Sequence, residues 1–123
     1  MEQFLDPKIV ENIEKAEKHG VDISCLPLGT KIEVSTKNSL YLIECLGGNN
    51  IEISGGQYFS ESLVVLHGSV WGHGTSMIKN NWIGLDMNME LHFNDNRITT
   101  SKVKKIKIIG PNWSYDIGNS ENN

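Results

Sequence analysis

Cysteine and proline are scarce in this chain, two and three among 123 residues. Cys25 and Cys45 stand alone, with no CxxC spacing and no partner ligands nearby. That excludes a disulfide-stapled scaffold or a thiolate zinc knuckle, and both read as buried free thiols in a reducing compartment. No apolar run approaches the ~20 residues that a bilayer-crossing helix needs. The opening stretch "MEQFLDPKIVENIEKAEKHG" has no basic segment followed by an apolar one, which predicts a cytoplasmic protein with no membrane partner. Excess positive charge is missing too. The net charge is −4, so a generic electrostatic grip on nucleic acid is disfavoured. Hydrophobic residues make up 38% and charged ones 21%, enough apolar surface for a core and too little charge for a disordered chain.

The motifs of common catalytic sites are absent as well. No GxxxxGK[ST] phosphate loop, no HEXXH helix and no GxSxG elbow occurs. The acidic residues fall on solvent-facing positions of amphipathic segments. Catalysis is therefore not expected, and no cofactor is called for.

What is present is mostly period two. Only residues 6–19 read as a helix: Asp6 caps, Pro7 fits the first turn, and Ile9, Val10, Ile13 and Ala16 form an apolar stripe that must dock on something. Gly20 closes it. From residue 30 the pattern alternates. "TKIEVST" sets Ile32, Val34 and Thr36 against Lys31, Glu33 and Ser35, and "KNS" turns the chain into "LYLIECL". "GGNN" and "GGQ" bound a third strand, "IEIS". "SLVVLHG" is continuously apolar, as in a strand covered on both faces. Leu85, Met87, Met89, Leu91 and Phe93 then oppose Asp86, Asn88, Glu90 and His92. In "RITTSKVKKIKII", Ile98 and Thr100 share parity with Ile106 and Ile108 but not with Val103, which calls for a bulge near Ser101.

These readings predict one mainly β domain over residues 1–110, a small antiparallel barrel or sandwich with an N-terminal capping helix and strands over about 30–109. Residues 111–123 read as a disordered tail, its start tacked down by Trp113 and Tyr115.

The densest cluster of functional residue types is "HGSVWGHGTSMIK", residues 67–79. Gly68, Gly72 and Gly74 permit a tight, bulged connection, and the same loop offers Ser69, Trp71, His73 and Ser76 to a ligand. If the first and last strands pair, the hydroxyl-rich "STKNS" and "ITTS" meet. Thr36, Asn38 and Ser39 then lie near Thr99, Thr100 and Ser101. The predicted binding set is Ser69, Trp71, His73, Ser76, Thr36, Asn38, Thr99 and Thr100.

Two other chemistries compete. The run Lys102, Lys104, Lys105 and Lys107, with Tyr41 or Trp82 as a stacking platform, would suit a single-stranded nucleic-acid module. Lysines on an edge strand also serve simply to block edge-to-edge pairing. His67, His73 and His92 with Asp86 or Glu90 would suit a metal-dependent enzyme.

The stretches "GTKIEVSTKNSLYLIECLGG", "HGSVWGHGTSMIKNNWIGLDMNMELHF" and "ITTSKVKKI" together resemble a family of small uncharacterised bacterial β-rich proteins. Its pattern runs T-x-N-S-x-Y, then a glycine–serine loop, then I-T-T-S-x-V. The likeness covers roughly residues 28–108 and departs from the family at Lys102, where relatives carry proline. It implies a β fold and no assigned activity or residue role. The expectation is a non-catalytic cytosolic binding protein for a small polar or anionic ligand or a protein partner, with a homo-oligomer open.

Overall fold

The structure, a computed structural model, describes residues 20–56, 59–71 and 78–118. The helix expected over residues 6–19 lies outside the described residues. β1 (Gly20–Asp22) is followed by a single 3-10 turn at Ile23–Cys25, where the Asp22 carboxylate caps the Ser24 N–H. The remaining strands are β2 (Lys31–Thr36), β3 (Leu40–Cys45), β4 (Asn50–Gly55), β5 (Phe59–Val70), β6 (Lys79–Asn80), β7 (Trp82–Gly84), β8 (Asn88–Phe93), β9 (Asn96–Ile109) and β10 (Ser114–Gly118). The protein is mainly β and antiparallel throughout.

The pairings run from β2 to β3, β4, β5, β8 and β9, and β9 returns to β2. The circuit closes. Two long strands make this possible by changing partners along their length. β9 meets β8 through Asn96–Lys102 and β2 through Val103–Ile109. β5 meets β4 through its first half and β8 through its second. β6 flanks β5, β10 flanks β9, and β1 with β7 forms a separate ribbon.

Alternation in the sequence becomes two apolar rows inside this circuit. Ile108, Ile32, Ile43 and Ile53 are consecutive register partners, each at most 2% exposed. The next row runs Ile117, Ile106, Val34 and Tyr41 and ends at Gly55. Burying one such side chain is worth about 1.5–3 kcal/mol, so these rows dominate the stability. Gly55 is glycine of necessity. Its φ is +114°, and a Cβ there would run into the Leu40 carbonyl oxygen.

The irregularities sit on β9 and β5. Register against β8 shifts between Asn88 and Glu90, opposite Thr99–Lys102, close to the bulge expected near Ser101. A second shift, between Ser35 and Thr36, falls opposite Val103–Lys105. Together they turn Thr100, Val103, Ile106 and Ile108 inward on one strand.

Four expectations are corrected. Residues 114–118, expected in a disordered tail, form β10, because Ile117 packs on Ile106 and the strand pairs with Lys105–Ile109. β5 is not covered on both faces. Val64 and Leu66 point inward while Leu63 is 71% exposed. On β8 the polar residues Asn88 and Glu90 are buried along with Met89 and Leu91, since the strand lies between β5 and β9 and its polar side chains are bonded to β9. The thiols differ, with Cys45 buried but Cys25 exposed.

Candidate functional site

β2 ends at Thr36 opposite Val103, but β9 begins far earlier, at Asn96. Among the described residues, no strand pairs with β9 on that side over Ile98–Ser101. The overhang, together with the β2–β3 turn and the end of β4, encloses a hollow of about 520 Å³. Its lining is Asn38, Ser39, Tyr41, Gly56 and Ile98–Ser101. The volume falls in the ~300–1,000 Å³ range of small-molecule sites. Tyr41 is buried and Ile98 packs against the core, so both supply apolar surface. Gly56 lies so close to the Tyr41 ring that a Cβ would come within 2.7 Å of it.

The turn is clamped to β9 by hydroxyls. Ser101 Oγ donates to Thr36 Oγ1 at 2.8 Å and accepts from the Asn38 N–H at 3.2 Å. The Lys37 N–H donates to the Lys102 carbonyl at 2.8 Å. Within the turn, Thr36 Oγ1 donates to the Ser39 carbonyl and accepts from the Ser39 N–H. A hydroxyl offers one donor and two acceptor sites, and Thr36 uses all three. It is a clamp with nothing left for a ligand.

Each of the β9 hydroxyls has its donor committed and at least one acceptor site unused. Thr99 Oγ1 donates to Glu90 Oε2 at 2.7 Å. Thr100 Oγ1 donates to the Ser101 carbonyl and accepts from the Met89 N–H. Asn88 Nδ2 donates to the Thr100 carbonyl at 2.7 Å, which holds this stretch against β8. Glu90 Oε1 faces Arg97 Nε at 3.4 Å, an ion pair without a hydrogen bond. Thr99, Thr100 and Ser101 thus have their donors spent while lone pairs remain open. Asn38 and Ser39 make no side-chain bond among the described residues.

The eight predicted binding residues divide. Asn38, Thr99 and Thr100 line the hollow, and Thr36 secures it from behind. Ser69 does not belong to it. Its side chain is fully buried and its hydroxyl donates to the Trp82 carbonyl. Trp71 is 62% exposed at the end of β5, where Val70 faces Asn88 and Asn88 faces Lys102. Two strands, each ~4.8 Å from the next, separate it from the hollow. His73 and Ser76 lie outside the described residues. Ser39 and Ser101 line the hollow too, and Tyr41, Gly56 and Ile98 complete the lining; single-strand patterning gave no sign of these last three because they arrive from three separate strand ends.

The competing chemistries find their residues otherwise engaged. The lysine strand β9 is no edge, since β2 and β10 both pair with its second half. Lys104 pairs with Asp86 at 2.9 Å, and Lys107 stands between Glu33 and Asp116 in register. Tyr41 is buried, and Trp82 carries Lys79 over its ring at 4.2 Å. The His67 and His92 rings lie 5.5 Å apart, but among the described residues no three His, Cys, Asp or Glu side chains come together as metal ligands. Burial, aided by the Glu44 charge, pushes the Cys45 thiol up to about 12, far from a nucleophile's range.

Comparison with family models, with curated protein sequences and with solved structures finds no match to this chain.

Proposed function

We propose that the protein is a small antiparallel barrel that works by binding rather than by catalysis, and that its ligand is a small polar molecule held in the hollow at the β2–β3 turn. The observation that carries this reading is the junction of Thr36 and Asn38 with Ser101, groups more than sixty positions apart in sequence, around an open polar cavity. Barrels with open ends commonly take ligands at the mouth. Thr36, Thr99, Thr100 and Ser101 are fixed by hydrogen bonds within the protein, so the ordering cost of binding falls mainly on Asn38 and Ser39. Among the described residues of the lining, no nucleophile stands beside a base. The bacterial family that the chain resembles belongs to this proposal for the fold and adds no residue role. A cytosolic location suits the two free thiols.

The test is a thermal-shift screen of metabolites on wild type and on Asn38→Ala with Ser39→Ala. A ligand that raises the Tm of wild type and not of the double variant supports the reading. A ligand that shifts both equally, or a screen with no shift at all, counts against it.

A further inference from the structure

The hollow has a lopsided hydrogen-bond inventory, and this bears on what it binds. On the supply side, Thr99 retains both acceptor sites, and Thr100 and Ser101 retain one each. Their hydroxyl protons all point back into the protein. The backbone N–H groups of Lys37, Asn38 and Ser39, which a turn often turns toward an anion, are spent on Lys102, Ser101 and Thr36. Among the described side chains of the lining, the Ser39 hydroxyl and the Asn38 amide bring donors with no hydrogen bond inside the protein, beside the N–H groups of the unpaired β9 edge. Among the described residues, no lysine, arginine or carboxylate lines the cavity.

An anion accepts hydrogen bonds and gives none, so it leaves these acceptor sites unanswered and meets no cationic side chain among the described residues. A cation would lose its water without a carboxylate to replace it. A neutral molecule rich in hydroxyl groups fits both conditions. It brings donors to the open lone pairs and acceptors to Ser39 and Asn38. Its carbon skeleton has apolar faces to lay on Tyr41 and Ile98. We infer that the hollow recognises a neutral polyhydroxylated small molecule, a monosaccharide or cyclitol, through the lone pairs of Thr99, Thr100 and Ser101 and the free groups of Asn38 and Ser39. This rests on the binding reading given above and narrows its ligand to one chemical class, a neutral one rather than an anionic one.

Backbone amide NMR titrations with D-glucose and myo-inositol, with inorganic phosphate and with ethanolamine test it. The expected result is saturable shifts at Asn38, Ser39 and Thr99–Ser101 with a neutral polyol. Ser39→Ala should weaken that binding about fivefold, the value of one ordinary hydrogen bond. Its fold is unaffected because that hydroxyl bonds nothing within the protein. Shifts at the same amides with phosphate or ethanolamine, and none with the polyols, overturn the neutral-polyol inference while leaving the hollow a binding site. No shift there with any of these probes overturns the inference, and an unresponsive thermal-shift screen beside it removes the binding reading as well.

Discussion

Two regions of the circuit are built from opposite materials. In one, Ile108, Ile32, Ile43 and Ile53 follow each other across four strands without a break in register. In the other, β9 slips twice within a few residues, and hydroxyls replace isoleucines. Where register is regular, side chains alternate cleanly and the interior fills with hydrocarbon. Where it slips, the strand outruns β2, a gap opens, and Thr36 and Ser101 join the turn to β9 where no ladder does, while Asn88 and Thr100 add to the ladder with β8. The first region supplies the stability. The second uses a fraction of it to keep a polar hollow in fixed shape.

Mutations should expose this division. Ile53→Ala, in the centre of the regular row, is expected to lose about 2–5 kcal/mol in urea unfolding, the range for deleting a fully buried isoleucine side chain. Ser101→Ala, in the slipped region, should cost about 1 kcal/mol by freeing the turn from β9. A loss at Ser101 as large as at Ile53 would erase the contrast.

The regular region also carries a pH signature. Cys45 keeps its proton in the fold up to about 12, whereas in the unfolded chain the thiol ionises near its ordinary 9.0. The unfolded state thus releases a proton first as pH rises, and stability falls across that interval while holding its full value below it. Cys45→Val, which keeps the bulk and removes the titration, should show a shallower alkaline decline. At neutral pH, native protein should be alkylated at Cys25 and not at Cys45. The smallest expected stability change is at Ser39→Ala, within about 0.5 kcal/mol of wild type, since that hydroxyl makes no hydrogen bond among the described residues.

The same contrast separates what the sequence made legible from what it did not. Strict alternation in "TKIEVST" and "LYLIECL" identified β2 and β3 and their inward faces. The expectation that "STKNS" and "ITTS" would meet rested on closure of first strand on last, and Asn38, Thr99 and Thr100 do share one cavity. β10 was invisible because only Ile117 turns fully inward and the strand owes its existence to pairing with β9. Ser69 resembled a ligand contact in the glycine loop, yet a hydroxyl next to a bulge is also what a neighbouring strand's carbonyl needs, and Trp82 claims it. The continuous apolar run of β5 hid an ordinary alternation, since Leu63 faces outward. Tertiary partners decide such cases, and periodicity within one segment carries no record of them.

The central claim is that the hollow is a built feature, locked by a hydroxyl pair that joins the β2–β3 turn to β9. A double-mutant cycle of Thr36→Val and Ser101→Ala, read by urea unfolding, tests it most directly. The account predicts a coupling of about 1 kcal/mol between the two sites. Strictly additive effects, as for residues that do not touch, would contradict it.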